Sequence, residues 1–165
     1  MSSSPRVVHE AAHRQLSALC GELGEQTLAQ AVLLFAPTGE TICQWGTMAA
    51  DADLTSLGAL AAGTMAASGA LARVLGHAAF AQVLHEADGG DSLHLTEVAG
   101  EGILVVVFDR RAAVGLVRLR ASQLGDRLRA AFASAPAAAP PPPGGRGGGK
   151  GLLVSEQDID NLFGD

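Results

Sequence analysis

DLTSLGALAAGTMAASGALARVLGH, residues Asp53 to His77, is a long helix built almost wholly from small and apolar side chains, and the rest of the chain is organised around it. Asp53 is placed as N-cap with Ser56 beside the free amides of the first turn, and Gly76 closes the far end after the cationic Arg73. At about 1.5 Å per residue its body is roughly 33 Å long. Gly58, Gly63 and Gly69 each cost about 1 kcal/mol against alanine in a helix interior, so something must offset on the order of 3 kcal/mol. Leu57, Leu60, Ala61, Thr64, Ser68, Leu71 and Leu75 form one stripe, assigned to the protein's own sheet. Gly63, Ala66, Ala67, Ala70 and Val74 form a second, smooth face that lets another backbone approach closely.

Leu54 to Ala72 also runs nineteen residues without a charge, the length of a membrane span. Four leucines supply at most about −2.4 kcal/mol on the insertion scale, against four hydroxyls and three glycines. Two buried faces explain the pattern better, so no membrane span is expected.

The 165 residues carry 17 acidic and 11 basic side chains, a net charge of −6. One modest domain with appendages fits that length. An acidic balance without a basic run argues against nucleic acid as partner. Cys20 and Cys43 are isolated, with neither metal spacing nor a disulfide framework. MSSSPRVVHE turns polar at once, so no secretory segment is expected and a reducing cytoplasm is the default.

Upstream of the organising helix, Val8, Ala12, Leu16, Leu19 and Leu23 recur at helical spacing, predicting a first amphipathic helix that ends near Gly24. AVLLF (Ala31 to Phe35) and TICQW (Thr41 to Trp45) flank Ala36-Pro37-Thr38-Gly39, placed as a type I turn prefers, and predict a β-hairpin. Downstream follow three strands, Ala81 to Glu86, Asp91 to Val98 and Gly102 to Asp109, with Gly89-Gly90 and Gly100-Glu101-Gly102 as turns. The last is a continuous apolar run, as a strand covered on both faces requires. Val114, Val117, Ala121, Leu124, Leu128 and Ala131 then predict a final helix with Arg118, Gln123, Arg127 and Arg129 outward, in preference to a strand through VGLVRLR.

Composition shifts at Ala135. Residues 136–151, PAAAPPPPGGRGGGKG, read as a stiff-then-floppy tether reaching roughly 50 Å when extended. Gly144 to Lys150 satisfies G-x-x-x-x-G-K, but Gly151 stands where a phosphate loop needs Ser or Thr and no strand precedes it. Beyond it, LLVSEQDIDNLFGD offers Ser155 and Asp158 as a capping pair and Ile159, Leu162 and Phe163 as one apolar edge, which predicts a docking peptide over 152–165.

No catalytic constellation emerges, and neither a cofactor nor a metal is expected. His9, His13, His77, His85 and His94 are scattered, and no Ser or Cys sits in a nucleophile elbow. His9 and His13 lie one turn apart without an evident third ligand, so a solvated helix face is the better reading. His85, Glu86, Asp88 and Asp91 are explained more cheaply as a polar strand end beside a glycine turn. Surface for other proteins is what the chain supplies.

The order helix, hairpin, long Ala/Gly helix, three strands, helix resembles the Roadblock/dynein light-chain family over about residues 7–134, after a flexible stretch 1–6 and before the linker 135–151. DLTSLGALAAGTMAASGALARVLG, LHEADGGDSLHLTEV and ILVVVFDRRAAVGLVRLR look like the corresponding stretches of its bacterial members that partner a Ras-like GTPase. DIDNLF near the C-terminus is similar to the ending of myxobacterial members.

The resemblance implies an α/β fold, an α-β-β-α-β-β-β-α sandwich with a five-stranded antiparallel sheet between helices, in a homodimer whose long helices pack side by side. It implies activation of a small Ras-like GTPase that controls cell polarity and gliding motility, from a cytoplasmic and polar location. Carried over, the docking face is Gly63, Thr64, Ala66, Ala67, Ala70 and Arg73, with Ile159, Leu162 and Phe163 as an auxiliary contact in the tail. Arg73, Arg110 and Arg111 are the candidates for an arginine finger, worth about 10³ to 10⁵ in rate where one is used. The resemblance implies instead that the GTPase brings its own catalytic arginine, so this chain supplies no catalytic side chain. Two other readings stay open: a Roadblock scaffold that binds its GTPase without accelerating it, and, since SEQDIDNLF resembles the response-regulator-binding peptide of the flagellar switch protein, a tail that binds a response regulator or polarity protein.

Overall fold

A computed structural model describes residues 5–134, with side chains described from Glu10 onward; Ile159, Leu162, Phe163 and the side chain of His9 lie outside the described residues. The elements are α1 (Pro5–Thr27), β1 (Ala31–Phe35), β2 (Thr41–Gly46), α2 (Leu54–Val74), β3 (Gln82–Glu86), β4 (Ser92–Val98), β5 (Gly102–Phe108) and α3 (Val114–Ser134). The five strands form one antiparallel sheet in the order β2-β1-β5-β4-β3. The unbroken apolar run of β5 takes the central position, where both of its faces are covered. Leu104, Val106 and Phe108 enter one core, and Ile103, Val105 and Val107 the other. In β1, Val32 and Leu34 alternate with Leu33 and Phe35 in the same way. The Ala36–Gly39 turn is closed by Gly39 N–H donating to the Ala36 carbonyl at 2.9 Å, with Pro37 in second place.

Helices α1 and α3 cover one face. Val117, Ala121, Leu124, Leu128 and Ala131 of α3 are buried against Leu16, Leu19, Cys20 and Leu23 of α1, as the three-and-four spacing requires. α1 starts earlier than Val8, at Pro5, whose fixed φ suits the first helical position, and it runs on past Gly24 to Thr27. Gly24 does not end the helix because its task is packing: a Cβ there would collide with the Trp45 ring of β2. The chain reverses instead at Leu28, φ +57°.

His94 of β4 is fully buried on this same face, and among the described residues neither ring nitrogen has a hydrogen-bond partner. Burial, with a smaller push from the Arg118 guanidinium on α3, holds its pKa below the ordinary value. The unfolded chain takes up this proton near pH 6.5 while the folded imidazole stays neutral. Stability is therefore unaffected above that pH and falls below it. Stability attributable to His94 is therefore expected to fall as the pH is lowered from 7.5 to 5. Urea unfolding at the two pH values should show the slope flattened in His94→Leu, and an equal slope in both proteins would remove His94 as the cause.

Among the described residues the opposite face is covered by α2 alone. Asp53 accepts hydrogen bonds from Thr55 N–H at 3.0 Å and Ser56 N–H at 3.1 Å, the N-cap its side chain calls for. At the other end Gly76, φ +77°, makes a Schellman closure. His77 N–H donates to the Ala72 carbonyl at 2.8 Å and Gly76 N–H to the Arg73 carbonyl at 3.1 Å.

Candidate functional site: the outer face of α2

Which way α2 faces is set by its closest approach to the hairpin. A Cβ on Gly58 would collide with the Gly39 carbonyl and the Phe35 ring, so only glycine lets the helix settle there. With about 100° of rotation per residue, that contact carries Ala61, Ser68 and Ala72 inward as well, and all three are buried. Leu54, Leu57, Ala62 and Met65 pack beside them.

Three leucines assigned to the sheet by their spacing are thereby corrected. Leu60 is 69% exposed, Leu71 60% and Leu75 65%, joined by Val74 at 83%. Leu60 and Leu71 each stand one residue, about 100°, off the buried line through Ala61 and Ala72. Leu75 is the C-cap, past the last helical residue, so helical spacing does not set its direction. Ala61 and Ser68 face inward as expected, and Thr64 is half-buried. Apolar sum alone could not orient this helix, because leucines stand on both sides of it.

The sequence-derived docking residues sit together on the outward side. Gly63, Ala66, Ala67, Ala70 and Arg73 are exposed, and nothing lies within 4 Å of a Cβ built on Gly63. Near Gly69 a Cβ would meet only an Arg73 guanidinium nitrogen at 3.8 Å. Of the three helix-weakening glycines, then, one is explained within the chain, while Gly63 and Gly69 leave a smooth strip open. Along one flank of that strip runs a cleft of about 380 Å³ lined by Met65, Ala66, Gly69, Arg73, Glu97 and Ile103, among others. Leu54–Val74 is long and apolar enough to cross a membrane by length and composition. Its inner side is seated on the sheet, and its outward side carries the apolar surface.

The three candidate arginines have different surroundings. Arg111 is engaged: its Nε donates to both Asp109 carboxylate oxygens at 3.1 and 3.0 Å. Those bonds, with the Arg111 N–H and Gln30 adding to them, hold the Asp109 carboxyl at about 2. Arg110 lies over Gly90 and reaches toward the Gly89 carbonyl at 3.4 Å. Arg73 has no hydrogen-bond or ion-pair partner among the described residues and projects from the α2 strip. His85, Glu86, Asp88 and Asp91 are exposed about the Gly89–Gly90 turn, and no group of three or more His, Cys, Asp or Glu is gathered for a metal among the described residues.

Fold and comparison agree on the class: the chain belongs to the Roadblock/LC7 domain family, which matches residues 15–108. Within it, the structure is similar to Myxococcus xanthus MglB, with 36% identity and a TM-score of 0.70 over 78% of this chain and 95% of that one. It is also similar to the gliding protein MglB of Thermus thermophilus, with 26% identity and a TM-score of 0.68 over 82% of this chain and 96% of that one. An uncharacterised protein of Methanocaldococcus jannaschii is 34% identical over 82 residues, 50% of this chain and 68% of its own length.

Proposed function

We propose that this protein is a GTPase-activating protein for a small Ras-like GTPase of the MglA type, acting as a homodimer in the control of cell polarity and gliding motility. The observation that carries it is the likeness to Myxococcus xanthus MglB, which extends over nearly the whole of that chain. A structure described as MglB with a tetrameric arrangement, 27% identical, adds that a relative self-associates. In this reading two α2 helices pair through their outward strips, and the GTPase docks across Gly63, Thr64, Ala66, Ala67, Ala70 and Arg73. Ile159, Leu162 and Phe163 add a tail contact. The cytoplasm, at a cell pole, is the expected place of action.

The chain acts by holding the GTPase switch segments in their competent arrangement, not by lending a side chain to the reaction. Arg111 is tied to Asp109, and Arg73 is placed to bind. Arg73→Ala is therefore expected to raise the concentration needed for half-maximal stimulation about tenfold, the loss of one charged contact. The saturated hydrolysis rate should stay within about twofold of wild type, whereas loss of an arginine finger costs about 10³ or more. A collapse of that saturated rate would make Arg73 the finger.

The founding experiment is single-turnover GTP hydrolysis by the Ras-like GTPase of the same genome, with the full chain and with a form truncated after Ala135. Acceleration by both forms supports the dimeric domain as activator. Loss with the tail makes DIDNLF part of the mechanism, and no acceleration by either form selects a scaffold.

A further inference from the structure

The two cysteines, 23 positions apart, are brought together by the packing of α1 on the edge strand β2. Their sulfurs stand 3.7 Å apart, with Cys20 0% and Cys43 4% exposed. A disulfide bond is about 2.05 Å long, so the two sulfurs need to approach by only about 1.6 Å more. We propose that Cys20 and Cys43 are a reversible disulfide site, a thiol pair that a peroxide converts into a covalent staple between α1 and β2.

The two thiols have distinct roles. The hydrogen bond between the two thiols holds Cys43 below its ordinary range, with Ser17 adding to it against the opposing effect of burial. Cys20 is pushed well up, by that same hydrogen bond first and by burial second. Cys43, on the edge strand and 4% exposed against 0% for Cys20, is the sulfur that a peroxide reaches first on local opening, which makes it the nucleophile and Cys20 the resolving thiol. The Cys43 thiolate attacks one peroxide oxygen, the O–O bond breaks, and water leaves after protonation, giving a sulfenic acid. The Cys20 sulfur then attacks the Cys43 sulfur, the S–O bond breaks, and a second water departs. Two thiols and one hydrogen peroxide become one disulfide and two waters, the two electrons going to the peroxide. The staple lies on the sheet face opposite α2, so it rigidifies the α1 layer and leaves the outward strip of α2 unchanged.

The test uses the purified full chain, first reduced and then treated with hydrogen peroxide until no further change occurs, because both sulfurs are buried and reaction follows local opening. Dithiothreitol added to the oxidised chain should raise its intact mass by about 2 Da, a difference that any methionine sulfoxide formed alongside leaves unchanged. Maleimide labelling in urea should drop from two thiols per chain to none and return to two after dithiothreitol, the chain having two cysteines. Peptide mapping should place the bond between Cys20 and Cys43 of one chain. In Cys20→Ala the sulfenic acid has no resolving thiol and should be trapped at Cys43 by dimedone. Two labelled thiols remaining after oxidation, loss of label without the cross-link, or cross-links only between chains would overturn the proposal.

Discussion

Gly58→Ala is expected to lower the unfolding midpoint by roughly 8 °C, although alanine is the better helix former. The new methyl would collide with the Gly39 carbonyl, and both parties to that contact are backbone. Neither can swing aside as a side chain would, so α2 must lift from the sheet. Overpacking of this kind costs about 3 kcal/mol, and the gain in helix propensity returns about 1, leaving a net loss of about 2 kcal/mol. The same change at Gly69, eleven residues further along the helix, should have the opposite sign. There the methyl finds only the end of a flexible arginine at 3.8 Å, so Gly69→Ala should stabilise the separated subunit by about 1 kcal/mol, read at protein concentrations low enough to dissociate the proposed α2 pair. Thermal unfolding of the two variants beside wild type decides the matter. Equal shifts in the same direction would mean that α2 is not seated by Gly58.

On the proposed pairing through α2, Ala67→Arg should convert the dimer into a monomer and reduce the proposed GTPase stimulation at least tenfold, with the folded chain's own stability unchanged within about 0.5 kcal/mol. Ala67 is exposed on the strip between Gly63 and Ala70, so a long cation there projects away from the described residues of its own chain. In a two-fold pair of α2 helices the substitution is made twice, once from each subunit. Close approach of the two backbones would then confine like charges where water is excluded. Sedimentation and single-turnover hydrolysis on the same sample separate the possible causes. A dimer retained with full activity would place the self-association elsewhere on the molecule.

The strands, α1 and α3 were legible because each carries one dominant period. AVLLF read as one arm of a hairpin and GILVVVF as a strand covered on both faces, and both lie in the interior of the sheet. α3 alternates cleanly between apolar and charged, so its buried side followed from spacing. α2 was harder. Its end signals are local, a cap carboxylate and a positive-φ glycine, and both act as the residue types suggest. Its rotation about its own axis is not local, because alanines, glycines and leucines stand all around it. Leu60 and Leu71 therefore look as inward as Ala61 and Ala72 until the Gly58–Gly39 contact is known. Gly24 misleads for a related reason, since a glycine that ends a helix and one that makes room for an indole are the same letter.

The sequence by itself determined the order of elements, the caps and turns, the two-sided burial of β5, and the presence of a glycine-broken apolar surface on α2. Each of these depends on residues within a few positions of one another, where backbone geometry and period suffice. Only the tertiary structure decided which α2 side chains face out, that Arg111 is tied to Asp109, that His94 is buried without a hydrogen-bond partner among the described residues, and that two isolated cysteines share a contact. Those facts depend on elements distant in sequence meeting across a core, and close packing, unlike periodicity, has no signature in any single stretch of the chain.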